Sequence, residues 1–307
     1  MGFDGILKIF QSVLENGLIN ALVVLALFLS YSMLNVCDLS TDGCFTLGAA
    51  VGAVVAVSGH PYLAIPAAMA AGVLSGFVTA FLQTRMGINS LLSGIIVNTG
   101  LYSVNIAVMH GASQVRLNGS ETVFTKMKAL LNTTFLSSWY KIIVVLIFVA
   151  LVVVFLSFFL KTRLGLAIRA TGDNTEMVRY SSINPIFTTT VGLCVANAFT
   201  ASSGCLMAQF QKLADINMGQ GMVTVALASL LIGGTLFSRR SIPVKAVGAV
   251  IGAIIFRLVY AIALQVDIPE YWLKLVTAAI ITFAIFIPYL KKQYPALSKR
   301  LFKRKEG

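Results

Sequence analysis

The residues best able to do chemistry in this sequence are polar groups embedded in long apolar runs. Arg257 lies inside the run 243–264, one turn from Tyr260. A guanidinium at that depth is costly unless it faces protein or water, or snorkels to the boundary. It therefore pairs (Asp267 and Glu270 are candidate partners), snorkels, or faces a solute. Asn98 and Asn105 are two turns apart and share a helix face. Asn in a membrane either hydrogen-bonds a neighbouring helix or lines a polar path. Asn197, with Thr200, Ser202 and Ser203 after it, poses the same alternative, and Thr46 and Thr224 complete the candidate path residues.

Covalent chemistry finds no such support. His60 and His110 are the two histidines, and neither has a carboxylate or Cys at ligand spacing, so no catalytic or metal site is expected. A phosphate-binding loop needs G-x-x-x-x-G-K-S/T, and the segment Gly165 to Gly172 lacks the Lys. ATP hydrolysis by that route would need another subunit, and no cofactor is expected on this chain. Cys37, Cys44, Cys194 and Cys205 lack zinc-site spacing and read as small apolar residues.

The elements that must hold these groups are membrane helices. The chain is 58% hydrophobic and 11% charged with mean hydropathy +0.89, far too little charge for a soluble surface. The apolar runs are continuous and not alternating, which excludes a β-barrel. The fold class is all-α, a single polytopic domain over 1–307 with about nine (8–10) spans. They are expected near 18–36, 44–58, 62–83, 89–109, 140–160, 187–207, 221–236, 243–264 and 272–290, after an amphipathic lead-in over 3–16. The spans 44–58 and 221–236 are short and Gly-interrupted, as broken or re-entrant helices are.

A residue echo accompanies those two segments. Gly43-Cys-Phe-Thr46 recurs as Gly221-Met-Val-Thr224, and Gly72-x-x-x-Gly76 as Gly248-x-x-x-Gly252. Three spans recur as three spans in opposite orientation, the inverted-repeat arrangement of transporters. The net charge of +12 is a topology signal and not a nucleic-acid patch. Basic residues gather at 161–179, at Arg239, Arg240 and Lys245, and in the tail 291–307. The positive-inside rule puts these in the cytoplasm, with the C-terminus, and puts 110–139 and 208–220 outside.

The stretch 161–184 holds Lys161, Arg163, Arg169 and Arg179 between two spans. Asp173 and Glu176 have N-cap and N3 spacing, so a short helix is expected to start there. A solvated basic loop and a docking element for a cytoplasmic partner are both compatible with this. The run Thr162, Arg163, Gly165, Ala167, Arg169, Ala170, Gly172, Asn174, Ile183, Asn184 resembles the coupling loop of ABC-importer permeases of the branched-chain amino acid and ribose type. Val178 and Ser182 stand where that family usually has Ala and Gly. Asp38-Leu39-Ser40 followed by Thr46-Leu47-Gly48-Ala49 is similar to a second segment of the family.

The nearest subgroup is the single-permease systems paired with a tryptophan/tyrosine-type binding lipoprotein. The resemblance implies a type II-like importer permease in a bacterial cell membrane, here as a homodimer. It implies two cytoplasmic ATPase subunits, which carry ATP and Mg, and an extracellular binding lipoprotein. ATPase coupling would fall to Arg163, Gly165, Arg169, Gly172, Asp173, Asn174, Glu176 and Arg179. The implied solute is a small molecule, an amino acid first and an aromatic one included, with nucleosides and sugars as the alternative. An ATP-independent transporter or channel is the competing class. It calls for acidic residues within spans, which are scarce, and leaves 161–184 without a role.

Overall fold

Long apolar runs with no two-residue alternation fold as helices, because in lipid only a helix satisfies its own backbone groups. A computed structural model describes residues 3–130, 139–237 and 241–265, with 272, 275–279, 281–283 and 286 beyond them. The expected span 272–290 is thus only partly covered. Arg239, Arg240, Asp267, Glu270 and the tail 291–307 lie outside the described residues. Among the described residues six helices are long and apolar enough to span, and two shorter apolar helices, Thr41–Val57 and Met222–Leu236, accompany them.

Helix α1 (Phe3–Leu27) runs straight on into a π-helical turn over Phe28–Met33. The lead-in and the first span are therefore one helix and not two elements. Glu15, Asn16 and Gly17, where the lead-in meets the span, are buried, and Glu15 and Asn16 bond back one turn, to Gln11 and Ser12. An irregular link over 34–40 leads to α2 (Thr41–Val57), then α3 (Pro61–Thr84) and α4 (Ser90–Val108). Strand β1 (Gln114–Arg116) and the short α5 (Val123–Leu130) precede α6 (Tyr140–Phe159). Two small helices, α7 (Arg163–Asp173) and α8 (Thr175–Tyr180), lead to α9 (Pro185–Gln211). Strand β2 (Leu213–Asp215), α10 (Met222–Leu236) and α11 (Ile242–Leu264) follow.

Helices α1 and α9 form the centre, with 89% and 83% of their apolar windows buried, against 22% for α6 and 28% for α4 and α11. The outer helices show apolar side chains such as Leu74, Leu151 and Phe158 to their surroundings. These match hydrocarbon, which needs no charge to cover it. Packing repeats with inversion. Helix α1 lies against α11 as α9 lies against α3, and α2 lies against α3 as α10 lies against α11.

Directions confirm the inversion. The C-terminal end of α1 (Met33, Leu34) abuts Gly172 of α7, at the end where α9 begins. Helix α9 leaves that end while α1 arrives there. Helix α3 runs antiparallel to α9, with Gly72 at Asn197 and Gly76 at Leu193. Helix α11 runs antiparallel to α10, with Gly248 at Gly233 and Gly252 at Ser229. For α2 and α3 against α10 and α11 the packing matches the inverted repeat expected from the residue echo, and it takes in α1 and α9 as well; the third span of the second copy, 272–290, lies largely outside the described residues.

At the end opposite α7 and α8, β1 pairs antiparallel with β2, Val115 opposite Ala214. The backbone N–H of Val123 donates to Gln209 Oε1 at 2.9 Å. The segments 110–130 and 208–220 therefore share one end of the molecule, as the alternation of spans requires.

Candidate functional site: two half-helices meeting at Asp42

Both short helices begin inside the bundle. Asp38 and Asn197, which is midway along α9, are hydrogen-bonded, Asn197 Nδ2 donating to Asp38 Oδ2 at 2.8 Å. From that depth α2 runs parallel to α9, with Gly48 against Ala201 and Gly52 against Cys205. Helix α10 starts beside the first turn of α2 and runs the other way. The expectation of broken helices at 44–58 and 221–236 describes this pair.

One carboxylate joins them. Asp42 sits in the first turn of α2, where the helix dipole favours negative charge. It accepts from the backbone N–H of Gly221 (2.9 Å, Oδ2) and of Val223 (2.8 Å, Oδ1), two of the orphan donors that open α10. Thr46 Oγ1 adds a third link by accepting from Gly219 N–H at 3.1 Å. Gly221, the N-cap of α10, has φ +83°, which a side chain would strain.

Two cavities flank this junction and share Gln220. One, of about 280 Å³, is lined by Asp42, Thr46, Asn98, Tyr102 and Asn105 among others. The other, of about 570 Å³, is lined by Thr224, Phe256, Arg257 and Tyr260 and by Thr277 and Thr282 beyond α11. Thr46, Asn98 and Asn105 are thus brought together on one side, and Thr224 and Arg257 on the other. The Arg257 guanidinium lies 5.1 Å from the centre of the Tyr260 ring, a cation–π distance. No carboxylate partner faces it among the described residues.

Asn197, for which packing and path lining are the alternatives, lines neither of these two cavities. It is 1% exposed and its amide is committed to Asp38. Asp38 takes further donors from Ser40, backbone N–H at 2.8 Å and Oγ at 2.6 Å, so this buried carboxylate is satisfied in place. Sequence reasoning missed Asp42, Tyr102 and Gln220. Asp42 and Gln220 immediately precede the echoed Gly43 and Gly221, and that adjacency was the available signal.

The stretch 161–184 forms two helices and not one. Thr162 caps α7, its Oγ1 accepting from Gly165 N–H at 3.2 Å. Asp173 ends α7, and the cap of α8 is Asn174, whose Oδ1 accepts from Met177 N–H at 3.0 Å. The expected start at Asp173 is therefore one residue early. Asn174 has the extended backbone a cap requires, φ −159° and ψ 100°.

Helix α8 buries Val178 alone and exposes Met177, Tyr180, Glu176 and Arg179, the last two 3.4 Å apart. Arg163 and Asp173 are exposed, Arg169 is half-buried, and Gly165 packs on the end of α6. Gly172 meets the backbone of Met33 and Leu34 so closely that no side chain fits. Ser182 has φ +58°, a region that favours glycine, at the position where the resembled family has Gly.

Residues 9–285 match the family model described as the permease component of branched-chain amino acid transport systems. The tyrosine transport system permease protein of Clostridioides difficile (strain R20291) is 33% identical over 88% of both chains. The galactose/methyl galactoside import permease of Escherichia coli (strain K12) is 29% identical over 72% of this chain and 63% of its own. The ribose import permease of that organism is 22% identical over 92% and 85%. No solved structure matches.

Proposed function

The chain belongs to the branched-chain amino acid transport system permease family, and from that premise we propose that it forms the path for a small solute in an importer driven by a separate ATPase. The solute is an amino acid, an aromatic one included. What supports this is the relative named for tyrosine transport at 33% identity, against 29% and 22% for the relatives named for sugars. A sugar or nucleoside is the second reading, carried by those same sugar-named relatives.

The observation that carries the mechanism is the joint at Gly172. An exposed helix, α8, is fixed to α7, and α7 touches the backbone at Met33 and Leu34. Those residues begin the link 34–40 that ends at the start of α2 and its Asp42. Two ATPase subunits, holding ATP and Mg, would seat α8 of each permease copy in a homodimer. Displacement of α8 would then move the half-helix junction, because a packed backbone transmits strain and does not absorb it. Opening the junction alternately to each side is alternating access. A substrate-binding lipoprotein would dock at the end carrying β1, β2 and α5. The excess of Arg and Lys near α7 and α8 supports placing that end in the bacterial cytoplasm, with the C-terminus.

Co-purification of tagged wild type and a Gly172→Pro/Glu176→Arg variant, with mass spectrometry of the accompanying chains, tests this. An ATPase subunit held by wild type and lost by the variant is expected. Wild type that carries no ATPase under gentle extraction would instead favour an ATP-independent transporter.

A further inference from the structure

The 280 Å³ cavity beside Asp42 has an unbalanced set of polar groups. Asn105 is 1% exposed and its Nδ2 donates to the Gly43 carbonyl at 3.2 Å. That bond fixes which way round the amide lies, since the flipped form would set two oxygens together. Its Oδ1 then has no partner, although it is buried. Asn98 Oδ1 packs over Gly43 so closely that a Cβ there would fall 2.6 Å from it. Asp42 accepts from Gly221 and Val223 N–H, with Met222 N–H also facing it, and a carboxylate has about four acceptor sites. Thr46 Oγ1 is already engaged with Gly219 N–H and the Asp42 carbonyl.

The cavity therefore holds spare acceptors, and Asp42 is the one charged residue of its lining. Tyr102, half-exposed, also belongs to the lining and offers an aromatic face. A buried acceptor without a donor costs free energy, and a site of this character suits a cation that carries several N–H groups.

We propose that this cavity is a binding subsite for a primary ammonium group, with Asn105 Oδ1, Asn98 Oδ1 and Asp42 as its acceptors. The proposal rests on the amino-acid reading of the solute and extends it to named residues. At about 280 Å³ the cavity falls just below the usual size of ligand sites, ~300–1,000 Å³. It therefore takes the amino end of a solute and leaves the remainder outside. A sugar offers hydroxyl donors to the same oxygens but brings no charge to Asp42.

The test is equilibrium binding to the full chain in lipid nanodiscs, with three probes. Tyramine carries the amine without a carboxylate, 3-(4-hydroxyphenyl)propionate the carboxylate without an amine, and galactose neither. Tyramine is expected to bind and the other two to bind at least about tenfold more weakly. Asn105→Leu is expected to weaken tyramine about tenfold, and Asn105→Asp to retain or tighten it. If Asn105→Leu does not accumulate, Asn98→Leu takes its place. Equal binding of all three probes, no tyramine binding by wild type, or wild-type binding by the leucine variant would each overturn the subsite. None of these results would touch the permease assignment, which stands or falls on ATPase co-purification.

Discussion

Helices α2 and α10 open with the same Gly-x-x-Thr spacing, yet they occupy different surroundings. Helix α2 is buried along most of its length, and α10 leaves its first turn half open to a cavity. Thr46 is 3% exposed and holds an amide of the opposite half, whereas Thr224 is exposed and bonds only its own turn, at Gly221 O. The residue before the echoed glycine is a carboxylate in one half, Asp42, and an amide in the other, Gln220. A repeat can thus fix where two half-helices begin while a single charge decides which half organises the other.

The largest effect that would break this asymmetry is removal of that charge. Asp42→Ala takes the acceptor from two N–H groups of α10, of which the one on Val223 is buried and costs roughly 1–3 kcal/mol while the exposed one on Gly221 can turn to water. A substantial fall in melting temperature and loss of uptake are expected, and a variant that melts and transports like wild type would erase the distinction between the halves. Next is Arg257, the charged residue in the lining of the second cavity. Arg257→Ala is expected to lower uptake about tenfold or more at unchanged membrane abundance. Normal uptake would make Arg257 a packing residue.

A paired comparison sharpens the contrast further. Thr46→Val removes an inter-half hydrogen bond and is expected to cost about 1 kcal/mol. Thr224→Val should stay within about 0.5 kcal/mol, and equal costs in thermal melting would contradict the difference in their roles. Gln220→Ala is expected to have the smallest effect on stability, within about 0.5 kcal/mol. If it matched Asp42→Ala, the two positions would be equivalent after all.

Much of this was legible in the sequence because length and continuity of apolar runs define membrane helices almost alone. The span expected at 243–264 is α11 at Ile242–Leu264, and that at 140–160 is α6 at Tyr140–Phe159. The lead-in over 3–16 reads as separate from the span 18–36 because its polar residues interleave with apolar ones, whereas the two form one helix. Gly17 lets α1 approach Ile254 of α11. The cap of α8 was misplaced by one residue because Asp173 and Asn174 are both competent caps and only backbone geometry chooses between them.

Beyond its place before the echoed Gly43, nothing local points to Asp42. Its partners lie 179 and 181 residues away in the chain, and nothing near it in the sequence calls for a cap. The same holds for Asn105, whose partner carbonyl at Gly43 is 62 residues away. Two polar residues on one helix face announced a site, but not which of their atoms would be left free.

The measurement that bears most directly on the account is a distance between the free ends of the two half-helices. Spin labels at Val57 and Leu236, both exposed, would report it in the reconstituted importer, without nucleotide and with ATP trapped on the ATPase. Movement of the junction by α8 predicts a shift of several ångströms on ATP binding, and no shift in the Gly172→Pro/Glu176→Arg variant. An unchanged distance in the wild type, with transport intact, would contradict it and place the moving part elsewhere.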